Sequence, residues 1–174
     1  LTDMVSSLLD LSRIEYGELK LNFEEINLNS FIEKYIQSIN NLSKKKEIKI
    51  IFKSNHKGTI SVDLQAFERI MDNLIDNAIK YSEKGSDITI STVNDSDGYI
   101  KVMIKDNGEG IANEDINHIF SRFYRTASAR AIENQGSGLG LAIVKHLVNN
   151  LNGEVGIESQ PQKGSTFWFT VPCV

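Results

Sequence analysis

Four clusters in this 174-residue chain carry side chains whose types and spacing can do chemistry. The first holds Asn73, Asn77, Lys80, Tyr81 and Ser82. The first four stand at i, i+4, i+7 and i+8, which is one face of a helix. That face offers amide oxygens, an ammonium group and an aromatic ring. An amide oxygen is a hard ligand suited to Mg²⁺, which takes few protein ligands and keeps several waters. A lysine neutralises phosphate charge, and a tyrosine ring stacks on a base. The set suits a nucleotide. The same face also reads as a solvent-facing amphipathic helix, although asparagine is a poor helix former.

The second cluster is Asp106-Asn107-Gly108-Glu109-Gly110-Ile111, directly after a strand-like stretch. An aspartate only accepts hydrogen bonds, so Asp106 can pair with an exocyclic amino group such as that of adenine. Gly108 and Gly110 permit close backbone approach. A tight turn built from Asp and Asn accounts for the same residues. The third cluster runs through Phe120, Phe123, Tyr124 and Arg125. Its aromatic residues read as lid packing. Arg125 can reach a terminal phosphate or stand as a surface arginine. The fourth is Gly136-Ser137-Gly138-Leu139-Gly140-Leu141, at the start of a helical stretch. A glycine-rich turn that opens a helix presents free N–H groups to phosphate. It lacks the G-x-x-x-x-G-K-[ST] order of a Walker loop, and its third glycine is misplaced for a dinucleotide fingerprint. The protein-kinase signatures are absent as well.

These clusters need elements to hold them. Asp63 can cap a long helix to about Ser82, with Leu64, Phe67, Ile70, Met71, Leu74, Ile75, Ala78 and Ile79 on its apolar face. A second helix is predicted over residues 28–42, capped by Asn27 or Asn29. Strands are predicted over residues 48–52, 59–62, 154–158 and 166–171, and a hairpin pairs 87–93 with 99–105. Residues 106–140 form a long polar, glycine-rich stretch, which in a small domain is usually a functional lid. Residues 141–151 are again helical. Together these elements predict a layered sandwich, one mixed sheet with helices on one face. Leu1, Met4, Leu8 and Leu11, widened by Val5, Leu9 and Ile14, form a bundle seam too short to be stable alone, so it implies a partner helix.

Composition narrows the classes. Hydrophobic residues make up 40% and charged residues 24%, as in a soluble globular domain. A net charge of −4 argues against bulk affinity for nucleic acid or an anionic membrane, so a local site must supply any positive potential. The run Lys44-Lys45-Lys46 reads as a solvated helix end. The single cysteine, Cys173, excludes an internal disulfide and a cysteine metal cluster. No apolar run approaches the length needed to span a bilayer.

Taken in order, the clusters resemble the boxes of the GHKL ATPase superfamily, which shares the Bergerat nucleotide-binding fold. Within it they resemble the sensor histidine kinases. Residues 73–82 match the N box, 106–110 the G1 box, 120–125 the F box and 136–141 the G2 box, with Gly164-Ser165-Thr166-Phe167 as the last glycine box. The resemblance implies an α/β (α+β) two-layer sandwich with a mixed, mostly antiparallel sheet. It implies that residues 1–21 are the end of the dimerisation and phosphoacceptor helix with its linker, and 22–174 the catalytic ATP-binding domain. ATP and Mg²⁺ are the implied cofactors. Asn77 would coordinate the metal, with Asn73 beside it in the phosphate environment. Lys80 would contact phosphate and Tyr81 the adenosine. Asp106 would take the adenine amino group, walled by Gly108, Gly110 and Ile111. Phe120, Tyr124 and Arg125 would belong to the lid side, with Arg125 toward the γ-phosphate. Gly136, Ser137, Gly138, Leu139, Gly140 and Leu141 would wrap the phosphates, and Ser165 would stand near adenine. Asn73, Lys80 and Arg125 are the implied catalytic residues.

One departure inside the superfamily carries information. Its hydrolytic members place a glutamate base four residues before the metal-binding asparagine. Asn73 stands there and cannot act as a base at neutral pH. Transfer to a better nucleophile remains open, because phosphoryl transfer depends mostly on positioning and charge neutralisation. The resemblance makes that nucleophile a histidine. His56, His118 and His146 all lack the family's acceptor context, so the acceptor is expected before Leu1. Further implied partners are a response-regulator receiver domain and a second copy of the parent protein, a cytoplasmic-facing, membrane-anchored sensor. The rivals are a GHKL module that regulates by binding alone and a GHKL serine kinase or anti-sigma-type switch.

Overall fold

The structure is a computed structural model that describes residues 8–9, 11–12, 20–55, 58–95, 98–132 and 136–174. In chain order its elements are β1 (Phe23–Asn27), α1 (Leu28–Lys45), β2 (Lys49–Ser54), β3 (Thr59–Asp63), α2 (Leu64–Tyr81), β4 (Asp87–Asn94), β5 (Tyr99–Lys105), α3 (Asn113–Ile116), α4 (Ala127–Ile132), α5 (Gly140–Asn150), β6 (Val155–Ser159) and β7 (Ser165–Pro172). Five strands form the main sheet in the order β2-β4-β5-β7-β6. β2 and β4 run parallel and every other neighbouring pair is antiparallel. The helices pack on one face, so the two-layer α/β expectation holds.

Local chemistry explains the helix that carries the first cluster. Asp63 is extended and its Oδ1 accepts from Ala66 N–H at 2.8 Å, which satisfies an orphan donor of the first turn of α2. Phe67, Ile70, Met71, Leu74, Ile75 and Ala78 follow at helical spacing and are all buried. Opposite them lie the inward residues of the sheet: Ile88 and Ile90, then Ile100, Val102 and Ile104, then Phe167, Phe169 and Val171. Phe67 and Phe169 meet edge to face, with centroids 5.7 Å apart. The alternate residues turn outward, so Ser91, Met103 and Trp168 line up across three strands on the open face.

Two elements differ from expectation. β1 was not foreseen; it pairs antiparallel with β3 in a separate two-stranded sheet, Ile26 opposite Ile60. Within the polar stretch 106–140 the chain forms the short helices α3 and α4. Of the two cap candidates for α1, Asn27 is the one used: its side chain accepts from Ser30 N–H at 2.9 Å. The expectation of a solvated helix end fails for Lys46, whose ammonium donates to the carbonyls of Ile79, Lys80 and Ser82.

The bundle seam over residues 1–14 lies mostly outside the described residues. Leu8, Leu9, Leu11 and Ser12 are helical. Leu11 is buried in the core cluster, whereas Leu8 and Leu9 are about half exposed. His56 also lies outside the described residues. His118 is exposed and His146 is half-buried on α5.

Candidate nucleotide-binding site

The C-terminal half of α2, the turn after β5, the segment between α3 and α5, and the start of β7 enclose a cavity of about 260 Å³. Each wall has a local cause. α2 brings Asn77, Lys80 and Tyr81 to one side, as their spacing requires. Lys80 Nζ stands 5.1 Å from the Tyr81 ring centroid. The end of α2 touches the turn after β5 so closely that a β-carbon on Gly108 would run into the Tyr81 carbonyl. A side chain there would push the helix end and the turn apart.

Asp106 lies in that turn, only 4% exposed. Its Oδ1 accepts from Gly108 N–H at 2.9 Å and from Ser165 N–H at 3.1 Å. No hydrogen bond to its other carboxylate oxygen occurs among the described residues, so that oxygen remains for a ligand donor. Burial pushes its carboxyl above the usual carboxylate range, and the two backbone N–H donors pull it partly back. Ser165 is buried beside it and its hydroxyl lies 2.9 Å from Ser159 Oγ. Ser159 also accepts from Ile111 N–H at 2.8 Å and donates to Gly164 O at 3.0 Å. One hydroxyl on β6 thereby holds both sides of the Asp106 wall.

At the lid side two cations converge. A β-carbon on Gly136 would lie 3.4 Å from Lys80 Nζ and 3.5 Å from Arg125 Cζ. Arg125 also donates to Ala129 O at 2.6 Å, which ties it to α4. Gly136, Ser137 and Gly138 lead into α5, whose first turn has no side-chain cap. Its N–H groups are therefore open to an anion. Tyr124 lines the cavity while its hydroxyl donates to Asp115, and that bond raises its phenol above the usual value.

Of the residues singled out in sequence, Asn77, Lys80, Tyr81, Asp106, Gly110, Ile111, Tyr124, Arg125, Gly136, Ser137, Gly138, Gly140, Leu141 and Ser165 line this cavity. Four do not. Asn73 stands one turn back: its Nδ2 donates to Arg69 O at 2.7 Å and its Oδ1 lies against Gly140. Gly108 shapes the wall from behind. Phe120 packs edge to face on Phe167, and Leu139 is fully buried under the loop. Asp72 accepts from Tyr35 O–H at 2.8 Å, so its carboxylate is held toward α1. Sequence reasoning missed Glu109, Ile119, Thr126, Ser128, Ala129 and Phe167 on the lining. It also missed Ser159 behind it. Glu109 and Phe167 lay inside quoted boxes without a role of their own; the others carried no signal beyond their place in a polar stretch.

A buried carboxylate, paired cations and an uncapped helix start around one cavity define a nucleotide-binding α/β domain. Residues 62–174 match the family described as histidine kinase-, DNA gyrase B- and HSP90-like ATPases, and the chain belongs to that family. It is 34% identical over 99% of its length to a sensor-like histidine kinase, SenX3 of Mycolicibacterium smegmatis, of which it covers 44%. It is 33% identical over 97% of its length to the sensor histidine kinase WalK of Bacillus subtilis, of which it covers 28%. Among solved structures, the Acinetobacter baumannii histidine kinase AdeS superposes with a TM-score of 0.78 at 27% identity, over 97% of this chain and 76% of that one. The chain spans less than half the length of the two curated relatives, and its ATPase-family domain is of the type found in those histidine kinases.

Proposed function

We propose that this domain binds Mg-ATP and donates its γ-phosphate to a histidine on a dimerisation domain of the parent protein. One observation carries the reading: the same cavity is lined by a buried, acceptor-only carboxylate, Asp106, and by two cations, Lys80 and Arg125, that meet at Gly136. A carboxylate suits the adenine amino group, and the cations suit a triphosphate.

The donor set also fits the metal. Among the described residues no group of three or more His, Cys, Asp or Glu side chains could hold an ion by itself. Asn77 lines the cavity and carries one amide oxygen, a donor that suits Mg²⁺ arriving with a triphosphate and its own waters. When bound, the ion neutralises phosphate charge. Lys80, Arg125 and the open N–H groups of α5 do the rest: they hold the phosphates in line and stabilise charge as it develops. Asn73 is an amide turned toward α5, so α2 presents no base to activate water at that position. This favours transfer to a histidine over hydrolysis.

In the parent, residues 1–21 would end the dimerisation helix and residues 22–174 form the catalytic domain. The parent would be a dimeric, membrane-anchored sensor with this domain in the cytoplasm, passing phosphate on to a response-regulator receiver domain. No described helix is long and apolar enough to cross a membrane.

Calorimetry with ATP and GTP in the presence of Mg²⁺ tests the site. ATP should bind far more tightly, because Asp106 would face a carbonyl in guanine; equal affinities would overturn the adenine role. Addition of the parent's dimerisation domain should then give acid-labile phosphate on that partner and none on His56, His118 or His146.

A further inference from the structure

Lys46 lies at the end of α1, far in sequence from every residue that lines the cavity. Its ammonium donates to Ile79 O at 3.0 Å, Lys80 O at 2.6 Å and Ser82 O at 3.3 Å. These are carbonyls of the last turn and the C-cap of α2, which no intrahelical N–H can satisfy. A cation there also complements the negative end of the helix dipole. The carbonyls of Lys80 and Ser82 flank Tyr81, and the third, of Ile79, precedes Lys80. The backbone that carries both side chains into the nucleotide cavity is therefore held by a lysine from another element.

The approach of Lys46 is itself built. Ile48 N–H returns to Ser43 O at 3.0 Å and Glu47 takes a left-handed backbone with φ 57°, a closing turn in which glycine is the usual residue. A non-glycine residue persists there only when its surroundings hold it. They do: Gly85 N–H donates to Lys46 O at 3.1 Å, Lys49 N–H donates to Ser86 O at 3.2 Å, and Glu47 pairs with Lys84 at 2.8 Å. The turn after α1 and the turn after α2 are thus clasped together, with the ammonium between them.

We infer that Lys46 is a positioning residue for ATP binding: it sets the Lys80–Tyr81 backbone and so the placement of the phosphate-facing ammonium. The inference rests on the reading of the cavity as an ATP site. Asp106 is held by Ser165 and Gly108 rather than by Lys46, so the adenine end, where only Tyr81 rides on the Lys46-held backbone, should depend on Lys46 less than the phosphate end.

Binding of ATP and of adenosine is measured by calorimetry on the whole chain carrying Lys46→Met or Lys46→Arg, with thermal melting alongside. Lys46→Met should weaken ATP about fivefold to tenfold, since small displacements of positioning groups carry large penalties. It should weaken adenosine less than ATP, because adenosine has no phosphate to meet Lys80, and Lys46→Arg, which can still donate to the carbonyls, should recover most of the ATP affinity. A general loosening would weaken both ligands equally and overturn the inference. So would ATP binding by Lys46→Met that matches the unsubstituted chain. If Lys46→Met melts below the assay temperature, Lys46→Gln, which keeps a donor without the charge, carries the test: ATP affinity lowered with adenosine binding kept upholds the positioning role, and unchanged ATP affinity or an equal loss in both overturns it. An unsubstituted chain that fails to bind ATP overturns the cavity reading and this inference together, whereas binding that Lys46 does not affect overturns this inference alone.

Discussion

The amide oxygen of Asn73 lies against the α-carbon of Gly140, close enough that a β-carbon at position 140 would sit 2.7 Å from it. The contact joins the middle of α2 to the first turn of α5, the turn whose free N–H groups face the cavity. Gly140→Ala must therefore displace either the asparagine or the start of α5. The asparagine is the easier of the two to move, so a destabilisation of no more than about 1 kcal/mol is expected, the loss of its hydrogen bond to Arg69 O. ATP affinity should fall with it. Asn73→Ala in the same chain should relieve the clash and return part of the melting temperature. Additive losses in the double variant would show that the two residues do not meet.

Asp106 links pH to both folding and binding, with opposite signs. Burial raises its carboxyl above the usual range in the folded state. The native state then holds a proton at a pH where the unfolded chain has lost it, so this group's contribution to stability falls as pH rises through that raised value. Asp106→Asn keeps an oxygen for the Gly108 and Ser165 N–H groups and removes the buried charge. At neutral pH the ligand-free variant should melt at or above the temperature of the parent chain. ATP affinity moves the other way. A protonated carboxyl, or an asparagine amide, sets a donor against the adenine amino group. Affinity should drop on acidification at a pH above the ordinary carboxylate range, and Asp106→Asn should bind ATP poorly at every pH. Paired melting and calorimetry across a pH series check both signs.

Ser159 was invisible as a site residue, yet it holds Ile111 N–H, Gly164 O and the Ser165 hydroxyl. Ser159→Ala leaves the part-buried Ile111 N–H unpaired and Gly164 O with only the 3.5 Å bond from Gln160 N–H. The expected cost is about 1–3 kcal/mol, read by denaturant unfolding. ATP binding should weaken several-fold without loss of preference over GTP, since the Asp106 carboxylate stays in place. A change in base preference would place Ser159 in recognition itself.

What could be read from the sequence was local. The cap at Asp63, the buried stripe of α2, the hairpin of β4 and β5, and the common face of Asn77, Lys80 and Tyr81 all follow from rules that span three or four residues. The order of the boxes extended this to a fold and a ligand. What the sequence could not show was set by partners distant in the chain. β1 has no run of buried residues and exists because it pairs with β3 across the whole of α1 and β2. Asn73 has the same spacing to Asn77 as a shared face demands, but the arrival of Gly140 turns its oxygen toward α5. Lys46 resembles any lysine at a helix end until α2 brings three carbonyls to it.

The sequence by itself thus determined which residues have the chemistry to meet a nucleotide, because residue type and helical period are properties of the chain alone. Only the tertiary structure decided which of them reach the cavity and which hold the others in place. That division lies in hydrogen bonds and close contacts between groups 33 to 67 positions apart, and no local preference encodes them.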